Sequence, residues 1–211
     1  MIRRILVAAG PTRERIDPVR FISNYSTGVF GYEIAREAKR RGLAVTLVSG
    51  PTALKAPEGI KFIGVESTLD MRRAVLTEFK KADCVVMTAA VADWRPIYQA
   101  KRKIKKTRRK TIELTENPDI LAEIGAAKIG RIAVGFALET ENLERNALKK
   151  LKDKNLDLIV ANRLEYPDAG IFGDKAIDVV TIDRFGNRAR IRNKSKRELA
   201  KIIMGKILKL V

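Results

Sequence analysis

The chain contains no histidine and only one cysteine among its 211 residues. Without His, the Ser-His and Cys-His dyads of covalent catalysis are excluded, and no Cys and His residues occur at zinc-ligand spacing. The single cysteine, Cys84, lies within an apolar run, which excludes a disulfide framework and is typical of a reducing interior. We therefore expect chemistry without a covalent nucleophile, in which any metal is Mg²⁺ held by oxygen atoms.

Long apolar runs and aromatic residues are also scarce. No run approaches the length of a membrane span, and the start of the chain does not resemble a signal sequence, so we expect a cytoplasmic protein without membrane contact. A formal charge of +18 favours anionic partners. Phe, Trp and Tyr together make up only 6% of the residues, so a base-stacking surface is not evident and no specific nucleic-acid partner is expected. A non-catalytic basic nucleic-acid-binding module stays open as an alternative.

Strand and helix patterns alternate along most of the chain. Apolar runs of strand length occupy residues 5–9, 44–49, 61–65, 84–90, 132–136, 156–161 and 177–182, and residues 189–191 complete a late hairpin. Helical patterns follow at residues 32–41, 67–80, 140–154 and 196–210, two of them preceded by a capping-box pattern. This alternation predicts an α/β fold with a mainly parallel sheet and a ligand site above the carboxyl ends of the strands.

The segment after the first strand has the features of an anion-binding site. A glycine turn at Gly10 leads into a long polar loop, and Ser26, Thr27 and Gly28 precede the first helix. Helix N-terminal amides lack internal partners and the helix dipole favours negative charge, which predicts a phosphate site. In the alternative interpretation, the glycines only permit turns and tight packing. The absence of G-x-G-x-x-G counts against an NAD(P)-dependent oxidoreductase, which stays open as an alternative.

Three further segments at predicted strand ends carry candidate site residues. The small residues Ala89 and Ala90 let a ligand approach the backbone, and Asp93 suits a sugar hydroxyl or metal-bound phosphate, or else caps a turn. The pair Asn117-Pro118 fits the N-cap and first position of a helix. Phe136 is either core or a stacking surface for a base, and core is the simpler interpretation.

Residues 95–111 interrupt the alternation of strands and helices. They are rich in Lys and Arg and contain almost no core material. We interpret them as a basic flap over the site or an arm to a second subunit, although a solvated loop without a role has the same composition. The segment 103–106 (KIKK) would meet a triphosphate as mobile point charges.

Taken in order, these motifs resemble one family closely, phosphopantothenoylcysteine synthetase. This is the ligase domain of the bifunctional decarboxylase/synthetase enzymes of coenzyme A biosynthesis. The matching segments are AGPTRERIDPVRFISNYSTGVFGYEIA, MTAAVADWRP, KIKK, ENPDIL, VGFALET and KNLDLIVAN. Each is weak alone, but the ordered set is specific. Pro11, Tyr25 and extra basic flap residues depart mildly from the family pattern.

The resemblance implies a Rossmann-like three-layer sandwich, residues 1–211 being one synthetase domain whose flap also serves a homodimer. It implies that the carboxylate of 4'-phosphopantothenate attacks the α-phosphate of CTP or ATP, with Mg²⁺ present. An acyl-nucleotidylate (acyl-CMP from CTP) and pyrophosphate form, and the amine of L-cysteine then displaces the nucleotide. No decarboxylase domain lies within these residues, so a decarboxylase is expected as a fused or separate partner.

The resemblance also assigns site residues. Asn24 and Lys103 are the expected catalytic residues, Asn24 at the acyl-nucleotide and Lys103 in the cysteine step. The expected substrate-binding residues are Gly10, Arg20, Asn24, Ser26, Thr27, Gly28, Ala89 and Ala90. The expected nucleotide-binding residues are Asp93, Lys103, Asn117, Pro118, Asp119, Ile120, Phe136, Lys150 and Lys154. The metal ligands are not assigned.

Overall fold

The computed structural model describes residues 1–108, 110–164 and 175–211. Its strands are β1 (Arg4–Ala9), β2 (Arg13–Arg15), β3 (Phe21–Ser23), β4 (Ala44–Ser49), β5 (Lys61–Gly64), β6 (Cys84–Met87), β7 (Trp94–Pro96), β8 (Leu114–Glu116), β9 (Ile132–Glu139), β10 (Leu158–Arg163), β11 (Ile177–Asp183) and β12 (Arg188–Lys194). Its helices are α1 (Val29–Arg40), α2 (Thr68–Phe79), α3 (Ile120–Ala127), α4 (Leu143–Asp153) and α5 (Lys196–Leu208). Within the described ranges, no helix is both long and apolar enough to cross a bilayer.

A central sheet contains eight of these strands in the order β12-β11-β10-β9-β6-β1-β4-β5. All neighbours from β5 to β10 are parallel, and β11 and β12 add an antiparallel hairpin at one edge. The chain runs outward from β1 in one direction through β4 and in the other through β6. The strand order therefore reverses between β1 and β6, where open α/β sheets bind their ligands.

Helices cover both faces of this sheet. On one face, α1 and α5 pack against alternate strand residues, and Ile5, Ile34 and Ile203 are buried together. On the other face, α2, α3 and α4 cover a second cluster that includes Leu6 and Met71. Because successive strand side chains point to opposite faces, β1 contributes to both clusters. The predicted α/β fold with a mainly parallel sheet and three layers is confirmed.

Several element ends differ from the sequence prediction. Strand β6 ends at Met87, whereas the sequence predicted that it would extend to residue 90. Beyond Met87 the chain leaves the sheet and follows the turn after β1. There the Ala90 N–H donates to the Gly10 carbonyl at 3.0 Å. Strand β12 runs from Arg188 to Lys194, much longer than the predicted three residues. Its arginines gave no apolar signal, and main-chain pairing with β11 forms the strand.

Two small hairpins lie outside the central sheet. Part of the predicted polar loop after β1 is the antiparallel pair β2–β3, stabilised by the Arg13 guanidinium lying 4.5 Å from the centre of the Phe21 ring. The second pair, β7–β8, forms the stem from which the flap (residues 95–111) extends. Residue 109 of the flap lies outside the described residues.

Candidate functional site

A cavity of about 720 Å³ opens where the carboxyl ends of β6 and β9 meet the N-termini of α1 and α3. All but three of the site residues expected from the sequence line it. These are Asn24, Ser26, Thr27, Gly28, Ala89, Ala90, Asp93, Asn117, Pro118, Asp119, Ile120, Phe136, Lys150 and Lys154. A second cavity of about 670 Å³, between β5 and α2, contains none of them.

Asn24 lies on the loop between β3 and α1, and its amide group is fixed in one orientation. The Nδ2 atom donates to the carbonyls of Ala90 and Val91, at 3.1 and 3.2 Å. Within the described residues, Oδ1 makes no hydrogen bond. Because Asn24 lines the cavity and Nδ2 is held on the backbone after β6, Oδ1 is available to a ligand there.

The N-terminus of α1 borders the same cavity. Gly28 is the N-cap with φ of 80°, a left-handed conformation that a side chain rarely adopts, and its N–H donates to Ser26 Oγ at 3.3 Å. Gly31 lets the helix approach β1, since a Cβ there would lie 2.5 Å from the Ala9 Cβ. The helix amides thus reach the strand ends closely, but the predicted phosphate site stays a prediction.

The start of α3 differs from the sequence prediction. Asn117 is not the N-cap and Pro118 is not the first helical residue. Asp119 caps the helix, and its side chain accepts a hydrogen bond from the Ala122 N–H at 3.0 Å. Asn117 instead joins the flap stem to this segment, with Nδ2 donating to the Ala92 carbonyl at 2.9 Å and Oδ1 accepting from Arg95 at 2.9 Å. Both polar atoms of the Asn117 side-chain amide are used by tertiary contacts that a local pattern does not reveal.

Two lysines of the cavity are paired with carboxylates. Lys150 Nζ lies 2.6 Å from Glu139 Oε1, and Lys154 Nζ lies 2.8 Å from Asp119 Oδ2. Burial opposes the charged form of Asp119, but the hydrogen bonds from Lys154 and the helix amides outweigh it and lower the pKa of that carboxyl group. A phosphate that binds near these lysines would therefore compete with the carboxylates that already pair with them.

The charged residues that line the cavity balance one another. Its wall includes three lysines and three carboxylates, namely Lys150, Lys154, Lys196, Asp93, Glu116 and Asp119. A nucleoside triphosphate and a phosphorylated acid bring several negative charges, and neutralising them requires cations from elsewhere. The basic flap is a candidate source of these cations. Its stem reaches the cavity, because Trp94 of β7 and Glu116 of β8 both line it.

Phe136 is both a core residue and a cavity residue, and its role as a stacking surface for a base stays a prediction. It is partly buried against the core and lines the cavity. Its ring meets the ring of Phe30 edge to face, with centroids 4.9 Å apart and an interplanar angle of 80°. This aromatic pair gives the cavity an apolar wall between β9 and α1.

Three expected site residues lie outside the cavity wall. Gly10 occupies the turn after β1 with φ of 72° and uses its backbone to hold the segment after β6. Arg20, in the turn between β2 and β3, forms an ion pair with Asp17. Lys103 is exposed on the flap.

The site residues expected from the sequence do not include two buried polar residues near the site and one cavity lysine. Thr12 Oγ1 accepts from the Ala92 N–H at 2.9 Å and lies 3.0 Å from Thr68 Oγ1. Asp17 binds its own turn and the flap. Lys196 begins α5 and is only 6% exposed. The partners of Thr12 and Asp17 are remote in sequence, and the residue after a helix cap carries no signal of its own.

The described residues contain no group of three or more Asp, Glu or Cys side chains that would hold a metal ion. The carboxylates Asp93 and Asp119 lie at the cavity wall as separate oxygen donors. This donor set suits Mg²⁺ that is shared with substrate phosphates, since Mg²⁺ is commonly bound by one or two carboxylates plus phosphate oxygens.

Comparisons with known proteins point to one family for this chain. The model of the DNA/pantothenate metabolism flavoprotein C-terminal domain matches residues 2–211. The chain is 48% identical over 182 residues to the coenzyme A biosynthesis bifunctional protein CoaBC of Bacillus subtilis, covering 85% of this chain and 44% of that protein. It is 44% identical over 212 residues to a cysteine/cysteine sulfinic acid decarboxylase of an unknown prokaryotic organism, covering 99% of this chain and 59% of that protein.

A solved structure shows the same fold. The crystal structure of the C-terminal domain of CoaBC superposes with a TM-score of 0.85 at 41% identity, covering 99% of this chain and 95% of that one. The chain spans about half the length of the curated relatives it matches. The family model extends over nearly every residue, and the chain therefore belongs to the family of the DNA/pantothenate metabolism flavoprotein C-terminal domain.

Proposed function

We propose that the protein joins 4'-phosphopantothenate to L-cysteine, acting in the cytoplasm as the ligase of coenzyme A biosynthesis. One observation carries the proposal. Residues from five separate segments, which the family resemblance assigned to substrate and nucleotide, line a single cavity. The chain that forms this cavity is 48% identical to a bifunctional protein of coenzyme A biosynthesis. The domain spans residues 1–211, and a decarboxylase is its proposed fused or separate partner.

The proposed reaction proceeds by activation of a carboxylate. The carboxylate of 4'-phosphopantothenate attacks the α-phosphate of CTP, or of ATP, and pyrophosphate leaves. The amine of cysteine then attacks the resulting acyl-nucleotidylate, acyl-CMP in the case of CTP, and displaces the nucleotide monophosphate. Neither step needs a covalent nucleophile on the protein, which agrees with a sequence without His. Alignment of the reactants and neutralisation of phosphate charge supply the acceleration.

The residues of the cavity have separate tasks in this reaction. Asn24 presents Oδ1 to the acyl-nucleotide, because its Nδ2 is held by two backbone carbonyls. The N-terminus of α1 faces a phosphate group. Lys150 and Lys154 bind the nucleotide phosphates in exchange for Glu139 and Asp119. Lys103, delivered by the flap, acts in the cysteine step.

Mg²⁺ is the proposed metal, and it supplies charge neutralisation on the phosphate oxygens when bound. Asp93 is the proposed protein ligand, because it is exposed at the cavity wall. Asp119 also lies at the wall, but its Oδ2 is occupied by Lys154. The chain therefore fits a cation held mainly by the substrates.

A homodimer is the proposed assembly, and the flap stem supports it. Large apolar side chains are exposed along the stem and the adjoining flap, and a partner subunit would shield them from water. Their exposed fractions are 55% for Trp94, 63% for Ile97, 75% for Tyr98 and 43% for Leu114. A cluster of exposed apolar side chains of this kind marks an association surface.

The test supplies the protein with 4'-phosphopantothenate, Mg²⁺ and either CTP or ATP. We expect pyrophosphate release that requires phosphopantothenate, an acyl-nucleotide detectable by mass spectrometry, and amide formation once cysteine is added. Asn24→Ala should reduce the rate of pyrophosphate release at least tenfold with an unchanged melting temperature, because an exposed loop side chain contributes little to the core. Asn187→Ala, in the exposed turn between β11 and β12, is the matched control.

If the folded protein releases no pyrophosphate with CTP and none with ATP, the synthetase proposal is contradicted. Carbon dioxide release from cysteine is measured in the same samples, since one relative is described as a cysteine decarboxylase. If Asn24→Ala lowers the melting temperature as much as it lowers the rate, the assigned role of Asn24 is wrong.

A further inference from the structure

The side chain of Asp17 uses its two oxygen atoms on two different parts of the protein. Asp17 is only 1% exposed, in the turn between β2 and β3. Its Oδ1 accepts from the backbone N–H groups of Val19 and Arg20, at 2.8 and 2.9 Å, and so closes the turn. Its Oδ2 accepts from the Arg20 guanidinium and, at 3.0 Å, from the backbone N–H of Ile104 in the flap.

The same turn contacts the flap at two more positions. The Ile104 carbonyl accepts from Arg20 Nη2 at 2.9 Å, so the backbone of Ile104 is held through both its N–H and its carbonyl. The Ala100 N–H donates to the Ile16 carbonyl at 3.0 Å. Lys103 directly precedes the residue that is held in this way. The position of its backbone is therefore tied to the turn that carries Arg20.

A turn alone does not require this carboxylate. One side-chain oxygen is sufficient to cap a turn of this kind, and Asn or Ser serves as well. Here the second oxygen and the negative charge serve the flap and Arg20. The hydrogen bonds from Arg20, with those from the Ile104 and turn amides, outweigh burial and hold the pKa of Asp17 well below its usual range. The carboxylate is consequently charged throughout the neutral range.

We propose that Asp17 is a positioning residue that latches the flap onto the β2–β3 turn, so that Arg20 and Lys103 are held in one unit. Asp17 itself touches no substrate. The tasks of Arg20 and Lys103 rest on the proposed function, whereas the latch is a statement about where the flap lies. The two are tested separately.

Asp17→Asn separates the turn from the latch. The amide oxygen of Asn retains both turn hydrogen bonds, and its NH₂ group replaces Oδ2, which then accepts from neither Ile104 nor Arg20. Asp83→Asn is the matched control. Asp83 also accepts two backbone N–H groups, from Arg3 and Arg4 at 2.9 and 2.8 Å. It directly precedes β6, at the amino ends of the strands, whereas the cavity lies at their carboxyl ends.

The first experiment is limited proteolysis of the full chain with trypsin in the absence of substrates, with the cleavage sites mapped by mass spectrometry. The flap offers several Lys and Arg sites. We expect Asp17→Asn to increase the rate of flap cleavage about tenfold, because loss of charge-assisted hydrogen bonds raises the open population. Asp83→Asn should leave that rate unchanged, and in Asp17→Asn the increase should be confined to the flap sites. Equal flap cleavage in all three proteins would overturn the latch.

The second experiment asks whether the latch acts through Lys103. The rate at which added cysteine consumes the acyl-nucleotide is measured in wild type, Asp17→Asn, Lys103→Gln and the double variant. We expect Asp17→Asn to slow this step about tenfold alone and to add nothing to Lys103→Gln, which is the signature of coupled residues. If the double variant shows the product of the two single rate reductions, the proposal that Asp17 acts through Lys103 is overturned. The proteolysis uses no substrate, so a failed synthetase assay leaves the latch testable.

Discussion

Two buried aspartates hold remote parts of the chain together, one near the carboxyl ends of the strands and one at their amino ends. Asp17 joins the flap to a turn near the cavity, whereas Asp157 lies just before β10, at the amino edge. Asp157 accepts from the Ala133 N–H at 2.7 Å, and its oxygens lie 2.7 Å from Lys128 Nζ and 2.8 Å from Arg184 Nη1. Arg184 also donates to the Leu210 carbonyl at 3.0 Å. One carboxylate thus ties β9, the β11–β12 turn and the end of the chain together.

Asp157→Ala should therefore cost stability without affecting the chemistry. Its removal leaves the buried Ala133 N–H and the largely buried Lys128 without their partner, and we expect a loss of about 3 kcal/mol in the free energy of unfolding. Asp153→Ala is the control, because Asp153 pairs with Lys149 at the surface, where ion pairs contribute at most about 1 kcal/mol. Urea unfolding measures both. Similar losses in the two variants would show that burial of Asp157 is not the cause.

At the residue scale, the sequence predicted the residues that face the cavity better than those that support them. Asn24 directly follows β3 and Phe136 lies within β9, and the ordered motifs identified both residues through the family. Asp17 was missed because its decisive partner, Ile104, is 87 residues away. Asn117 was misplaced for the same reason, since its partners Ala92 and Arg95 are 25 and 22 residues away. Local patterns carry no information on such contacts.

Helix α5 connects its own cap to the cavity. Ser195 and Glu198 form a reciprocal capping box, and the residue between cap and helix interior, Lys196, lines the cavity. The hydrogen bonds from Ser195, with Lys194 nearby, lower the pKa of Glu198 to about 2. Because the folded-state pKa lies below the ordinary value of 4.5, the stabilisation is complete above pH 4.5 and is lost as the pH falls through about 2.

Ser195→Ala should raise the pKa of Glu198 towards 4.5, because the carboxylate loses the hydroxyl that donates to it. The side-chain carboxyl carbon shift, followed by NMR across the acidic range, reports this pKa. The matched control is Ser67→Ala in the capping box of α2, which should raise the pKa of Asp70 and leave Glu198 unchanged. An unaltered Glu198 titration in Ser195→Ala would mean that the capping box does not hold the carboxylate in solution.

At the element scale, the features that short-range contacts stabilise were predicted from the sequence, and those that depend on long-range contacts were not. Both capping boxes were predicted because their partners lie three residues apart. The β2–β3 hairpin was not, since the Arg13 N–H donates to the Glu66 carbonyl and Glu14 Oε1 accepts from the Thr68 N–H, both across the fold. The cap of α3 was displaced by two residues for a related reason, because tertiary bonds occupy Asn117.

For the whole molecule, the distribution of charge separates the body from the flap. The chain carries a formal charge of +18, yet the charged side chains lining the cavity balance. Residues 95–111 contain nine Lys and Arg residues and no acidic residue, so half of the net positive charge lies on the flap and none of it on the cavity wall. A delivered cation avoids the cost of like charges packed together in the resting site. In the proposed homodimer the flap reaches the partner's site.

Hybrid dimers test that arrangement directly. Asn24→Ala and Lys103→Gln subunits, carrying different tags, are co-expressed, and dimers with one subunit of each kind are purified through both tags. If the flap serves the partner's site, the site with an intact Asn24 receives an intact Lys103, and the other site receives neither. We then expect about half of the wild-type turnover per dimer, far above either parent, because one of two symmetric sites is complete. If each flap serves its own chain, both sites lack one residue, and the hybrid is no faster than its parents.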